Sequence, residues 1–208
     1  MHQHAHHLNS SQLLCMMFFS NLIDEKHRIN NSMISFVKDI LGINISQNAY
    51  CSFEHTEKRE PYIFKVGGKD EYEGTSFDFY IVDGGTEIFF EIKFTENGFG
   101  KAKDDTRHDE KIAQYKKLLP SYLSHTPSDS EFRNHYQLFR NIIRSGENKY
   151  VVFITDGNNP STEKEKDNFQ KSFGKSENVK FITWQDIKKS TNAFYPCQLP
   201  YQFKAIDL

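Results

Sequence analysis

Thr75–Lys93, TSFDFYIVDGGTEIFFEIK, reads as two β-strands around a tight turn. Ser76–Val82 is the first strand, Asp83-Gly84-Gly85 the turn and Thr86–Phe94 the second strand. Aromatic and β-branched residues fill both runs, and a Gly-rich turn between such runs signals a hairpin. Side chains alternate along a strand, so Glu91 and Lys93 share one face while Phe90, Ile92 and Phe94 take the other. Asp78 lies on the partner strand. Two carboxylates and an ammonium walled by Phe and Ile are costly unless they are paired or given a cation. The chemistry is expected there.

Working outward, 208 residues suffice for one domain with a sizeable core, and no repeat, linker or shift of composition marks a second. The formal net charge of −2 rules out a generally basic coat, so nucleic acid would have to be held by a local patch or through metal ions. Cys15, Cys51 and Cys197 are odd in number and widely spaced, which predicts a reducing compartment and no disulfide framework. Leu13–Phe19 is too short to span a bilayer and lacks the flanks of a signal peptide. A soluble, cytoplasmic protein is expected.

Four histidines, His2, His4, His6 and His7, mark residues 1–8 as a disordered His-rich tail. Asn9-Ser10-Ser11 caps a predicted helix over Gln12–Ile23, apolar nearly all round and so expected to be buried. Asn31–Leu41 is the next helix, ended by Gly42. Asn48–His55 reads as a strand with Glu54 near its end, and Glu57–Glu73 as a loop or a strand pair around Tyr62–Val66. Beyond the hairpin, Thr95–Thr106 is a polar loop of the kind that carries substrate contacts. Arg107–Leu119 is helical up to Pro120. Glu131–Arg144 is predicted as one helix with an apolar stripe and a second stripe of Arg133, Gln137, Arg140 and Arg144. Tyr150–Thr155 is a strand buried on both faces. A turn at 156–160, a helix capped by Ser161, a strand over Val179–Thr183 and a helix over Trp184–Ser190 complete the α/β pattern.

Asp78, then Glu91-Ile92-Lys93 at the end of a phenylalanine-rich strand, with helices and strands before and after, resembles the PD-(D/E)xK nuclease superfamily. Ser10-Ser11-Gln12, Phe53-Glu54, Gly74-Thr75-Ser76-Phe77-Asp78 and Gln137-Leu138-Phe139-Arg140-Asn141 look closest to an uncharacterised bacterial branch with the restriction-endonuclease-like fold. Phe77, where many relatives have Pro, departs from the pattern. The resemblance implies a central mixed sheet, its core hairpin antiparallel, with helices on both faces. It also implies a Mg²⁺-dependent endonuclease acting on nucleic acid, most naturally DNA, with Mn²⁺ able to substitute.

By that resemblance Asp78, Glu91 and the Ile92 carbonyl hold the metal, and Glu54 supplies an additional acid. Lys93 stands beside the attacking water. Gln114 matches a glutamine that related nucleases turn toward the site. Hard oxygen ligands suit Mg²⁺, and phosphodiester hydrolysis needs an activated water and neutralised charge. The stripe of Arg133, Gln137, Arg140 and Arg144 is a solvated helix face, a phosphate-contacting surface, or, for Gln137 and Arg140, a brace pointing inward. Asp156 is a turn former and His108 beside Asp109 a surface pair before either is an acid or base. Duller alternatives stand beside the catalytic one. Asp78 and Lys93 could form a structural salt bridge in a silent module that binds nucleic acid or protein, since fold does not guarantee chemistry. A hydrolase of small phosphate esters is a second alternative. It would call for a compact anion cradle such as a Gly-rich loop opening a helix, and Gly98-x-Gly100 is followed too distantly by a helix to qualify. Cutting both strands would favour a homodimer.

Overall fold

In the computed structural model the described residues are 11–26, 28–56, 61, 64–66, 69–71 and 76–190. The His-rich start, the Asn9-Ser10 cap, Gly74-Thr75 and the tail from Tyr195 lie outside them. The predicted hairpin is the middle of the sheet. Strands β4 (Ser76–Asp83) and β5 (Thr86–Lys93) pair antiparallel, and Asp83 faces Thr86 across a two-residue turn. Asp83 therefore belongs to the strand rather than the turn. Gly84, at φ 57°, takes the left-handed conformation that such a turn requires.

Strand β1 (Tyr50–Thr56) adds antiparallel to β4, while β6 (Lys149–Thr155) adds parallel to β5. Strand β7 (Val179–Thr183) continues parallel to β6. The result is a mixed five-stranded sheet in the order β1-β4-β5-β6-β7. The charged segment before the hairpin contains a separate two-stranded pair, β2 (Phe64–Val66) and β3 (Lys69–Glu71).

Helices cover both faces. On one, α1 (Ser11–Phe19), α2 (Asn31–Leu41) and α7 (Trp184–Ser190) bury Phe79, Ile81, Ile88, Phe90, Ile92, Val152 and Ile154. On the other, α3 (Thr106–Tyr115), α4 (Asp129–Asn134), α5 (Tyr136–Ile142) and α6 (Pro160–Phe173) bury Phe89, Val151 and Phe153. The odd and even residues of β5 and β6 thus feed two different cores, as the period of a strand dictates. Phe19 keys the first core. It is fully buried and stacks on Phe79 at 4.0 Å between ring centroids, with Phe90 at 5.1 Å. Phe19→Ala is expected to cost about 3–5 kcal/mol and to lower the melting temperature by roughly 10 °C. Calorimetry of the variant checks this, and a shift near zero would contradict the packing.

Several boundaries differ from the sequence reading, each for a physical reason. Helix α1 is not buried all round. Met16 and Met17 are exposed while Leu14, Cys15, Phe18 and Phe19 face the sheet. The helix after β6 is capped by Asn159, whose side chain accepts from the Ser161 and Thr162 amides, with Pro160 in the first turn. Ser161 lies inside the helix. The expected helix over Glu131–Arg144 is two helices, α4 and α5, parted at His135 with φ −118° and ψ 35°. The loop after β5 stitches that break. Ala102 N–H donates to Arg133 O at 3.0 Å, and Gln137 N–H to Gly100 O at 3.4 Å.

Candidate active site

The hairpin ladder ends one residue short of the first acid. Its last backbone pair on this side is Phe79↔Phe90. Beyond it, Asp78 replaces the backbone partner, its Oδ2 accepting the Ile92 N–H at 2.7 Å. Alternation breaks at the same point, because Phe77 packs with Phe89 on the second core while Phe79 belongs to the first. The two strands therefore part around Asp78, Glu91 and Lys93. Such a split re-aims side chains much as a bulge does.

Glu91 is almost wholly enclosed, 4 % exposed, and both of its oxygens are held. Gln137 Nε2 donates to Oε1 at 2.6 Å, and Asn141 Nδ2 to Oε2 at 3.3 Å. Both donors come from α5, four residues apart and so on one side of the helix. Lys93 Nζ lies 3.0 Å from Glu91 Oε1, so the close ion pair joins neighbours on one strand face rather than Asp78 and Lys93 across strands. Burial alone would lower the Lys93 pKa. The charge and hydrogen bond of Glu91, with Glu96 and Asp78 behind it, outweigh burial and hold the amine above its ordinary value.

Asp78 is shifted upward too, but for a carboxyl a rise favours the neutral form. Burial first, then the charge of Glu91, pushes its carboxyl from 3.8 up to about 8, against the pull of the Ile92 N–H and Lys93. Glu96, three residues past Lys93, adds to the rise at Asp78 and accepts the Phe94 N–H at 2.5 Å. Glu54 falls between the pairs Phe53↔Phe79 and His55↔Phe77, which puts it opposite Asp78. It is exposed and has φ 50°, an uncommon conformation for a non-Gly residue. Under these acids lies the Cys15 thiol of α1. Burial, then Asp78, Glu91 and Glu54, raise its pKa well above the ordinary value, so it stays a neutral thiol.

Asp78, Glu91, Lys93 and Glu54 therefore meet at one end of the sheet, and Ile92 joins them through its backbone N–H while its side chain is in the core. The expected substrate contacts do not meet there as a set. The break at His135 splits the polar stripe. Arg133 bonds Lys103 O and pairs with Asp104 and Asp109. Arg140 lies over the Tyr136 ring at 5.6 Å. Arg144 is 1 % exposed and offers no phosphate-binding surface. Of the inward alternative, Gln137 does reach the site. Gln114 instead donates to Glu110 O of its own helix at 3.4 Å. The sequence assigns Asn141, Glu96 and Cys15 no role at the site, although Asn141 closes the stretch Gln137-Leu138-Phe139-Arg140-Asn141. The one local signal that could find Asn141 is its place four residues after Gln137, on the same side of a helix.

Among the described residues, no group of three or more Asp, Glu, His or Cys side chains forms a ready-made cage for a metal ion. The residue types are nonetheless those a hard divalent cation takes: buried Glu91 and half-buried Asp78 lie beside Lys93, half-buried Glu96 is close by, and exposed Glu54 is opposite Asp78.

One family model, restriction endonuclease associating with ARP, matches residues 1–199 of the chain. No curated protein and no solved structure matches it.

Proposed function

Because the chain belongs to this restriction-endonuclease family, we propose that it is a nuclease of the PD-(D/E)xK type, hydrolysing phosphodiester bonds of DNA with Mg²⁺, for which Mn²⁺ can stand in. The reading rests above all on the geometry where β4 and β5 part, with the Asp78 carboxyl on the Ile92 N–H and the Glu91 carboxylate held by Gln137 beside Lys93. Asp78 and Glu91 would hold the cation, with the Ile92 carbonyl and Glu54 completing its ligands. When bound, it would supply Lewis-acid stabilisation of the charge that builds on the reacting phosphate.

The chain's own groups do the rest. Gln137 and Asn141 fix the Glu91 carboxylate in one orientation, the job that outer partners perform for metal ligands generally. Lys93, 11 % exposed in its side chain and held as an ammonium, orients the attacking water and meets developing negative charge with its own positive one. The parted strands leave an edge that a nucleic-acid backbone can approach. Cutting both strands takes two such sites, as a homodimer would present.

The test is cleavage of supercoiled plasmid and of linear single-stranded DNA in Mg²⁺, Mn²⁺ and EDTA, run beside thermal melting. Cleavage in both metals, none in EDTA and a melting temperature raised by Mg²⁺ are expected. No cleavage in either metal together with no thermal response would overturn the reading.

A further inference from the structure

A cleft of about 480 Å³ opens beside the candidate site and belongs to none of the residues assigned to it. Its walls are the loop after β5, the end of α4 and the first turns of α6. The loop is tied in place, since Asn159 Nδ2 donates to Phe94 O at 3.2 Å and Glu96 O at 3.0 Å. The cleft thus starts four residues beyond Lys93, a chain distance of at most about 14 Å. A nucleic-acid strand advances about 3.4 Å per nucleotide along the helix axis, so the two places lie within a few nucleotides of each other.

Most of the lining side chains can donate hydrogen bonds. Lys101 and Lys164 line it, both exposed, and among the described residues neither has a carboxylate partner. Asn97, Asn134 and Asn168 add amides. The one acid, Glu165, is already engaged on both oxygens, by His135 Nδ1 at 3.2 Å and by the Phe99 N–H at 2.9 Å. Gly98 makes that closure feasible. It has φ 83°, and a Cβ there would overlap Glu165 Oε2. In a chain of net charge −2 this is a local, preformed cationic recess. Among the described residues that line it no Phe, Tyr or Trp occurs, and the one ring, that of His135, is engaged by Glu165.

We infer that this cleft holds a backbone phosphate of the substrate strand, a few nucleotides from the bond that is cut, with Lys101 and Lys164 as the phosphate-binding cations. The inference rests on the nuclease reading. It also accounts for how a slightly acidic protein grips a polyanion without the continuous arginine face that the sequence suggested.

The experiment measures binding of a labelled DNA oligonucleotide in EDTA across a series of salt concentrations. Wild type is compared with Lys101→Ala, Lys164→Ala, their combination, and Lys38→Ala on α2 at the other face of the sheet. Each cleft lysine is expected to weaken binding and to reduce the slope of log K against log salt by about 1, whereas Lys38→Ala changes neither. Cleavage in Mg²⁺ is followed in the same proteins, and the melting temperature of each is measured with inorganic phosphate at constant ionic strength.

An unchanged slope in the double variant, while wild type binds and cleaves, would overturn the inference and leave the nuclease reading standing. Loss of a phosphate-induced thermal shift without any change in slope would also overturn it, marking the cleft as a site for free anions. Wild type that neither binds nor cleaves would bring down the nuclease reading and the inference with it.

Discussion

Asp78→Asn is expected to abolish cleavage and yet to raise the melting temperature of the metal-free protein. The two effects have one origin. Asp78 has its carboxyl raised from 3.8 to about 8, by burial and then by Glu91, because the fold opposes its ionisation. A folded-state pKa above the unfolded one means that stability is fully present below about pH 4 and declines as pH rises through about 8. In EDTA the wild type should therefore lose stability steadily from pH 4 to pH 8. Asn keeps an oxygen for the Ile92 N–H but carries no charge to desolvate. The expected gain at pH 8 is of the order of 2–4 kcal/mol, or roughly 5–10 °C in melting temperature. Activity moves the other way, by about 10³-fold or more, since several kcal/mol of transition-state stabilisation would go with the cation. Melting curves of both proteins in EDTA across pH 4–9 check the stability half. A variant less stable than wild type at pH 8 would show that Asp78 is a structural group.

The fold was largely legible because its decisive signals are local. The hairpin followed from period-2 alternation and a Gly-Gly turn, and its two faces, Glu91 with Lys93 against Phe90 with Ile92, fall where alternation put them. Parallel β6 was readable as a continuous apolar run because it is buried on both sides. What escaped the sequence depends on distant chain. Nothing in Glu131–Arg144 announces a break at His135, which is held by hydrogen bonds from residues 100 and 102. That break separates Arg133 on α4 from Gln137 and Arg140 on α5, so the polar stripe does not share one surface. Arg144 looks like a surface cation in the sequence, yet it lies just past the end of α5 and is enclosed. The Asn159 cap was the exception. Asn-Pro before a helix is a local signal, and with Pro160 already in the first turn Ser161 falls inside the helix. Within the site, the acids and the lysine were readable as types in a strand pattern. The cleft beside them was not, since its two lysines come from a loop and a helix more than sixty residues apart in sequence.

Lys93→Met should also destroy activity while moving stability in the direction opposite to Asp78→Asn. The methionine fills much the same volume, so packing is kept and the charge is removed. Glu91, 4 % exposed, would be left with the Gln137 and Asn141 amides and with Asp78 still beside it. Breaking a buried ion pair by removing one partner typically costs about 3–5 kcal/mol, which predicts a melting temperature lower by roughly 10 °C in EDTA. Mg²⁺ should then stabilise Lys93→Met more than it stabilises wild type, because the carboxylates have lost their own counter-ion. The double variant Asp78→Asn/Lys93→Met separates charge balance from packing. Near-wild-type stability without metal is expected if the two residues act through one electrostatic cluster, and in a cycle the coupling should be of the order of 1–3 kcal/mol. Simple additivity would mean that Asp78 and Lys93 serve the fold independently. An inactive Lys93→Met that still gains stability from Mg²⁺, set beside an Asp78→Asn that no longer does, would assign metal affinity to the carboxylates and the catalytic charge to the amine.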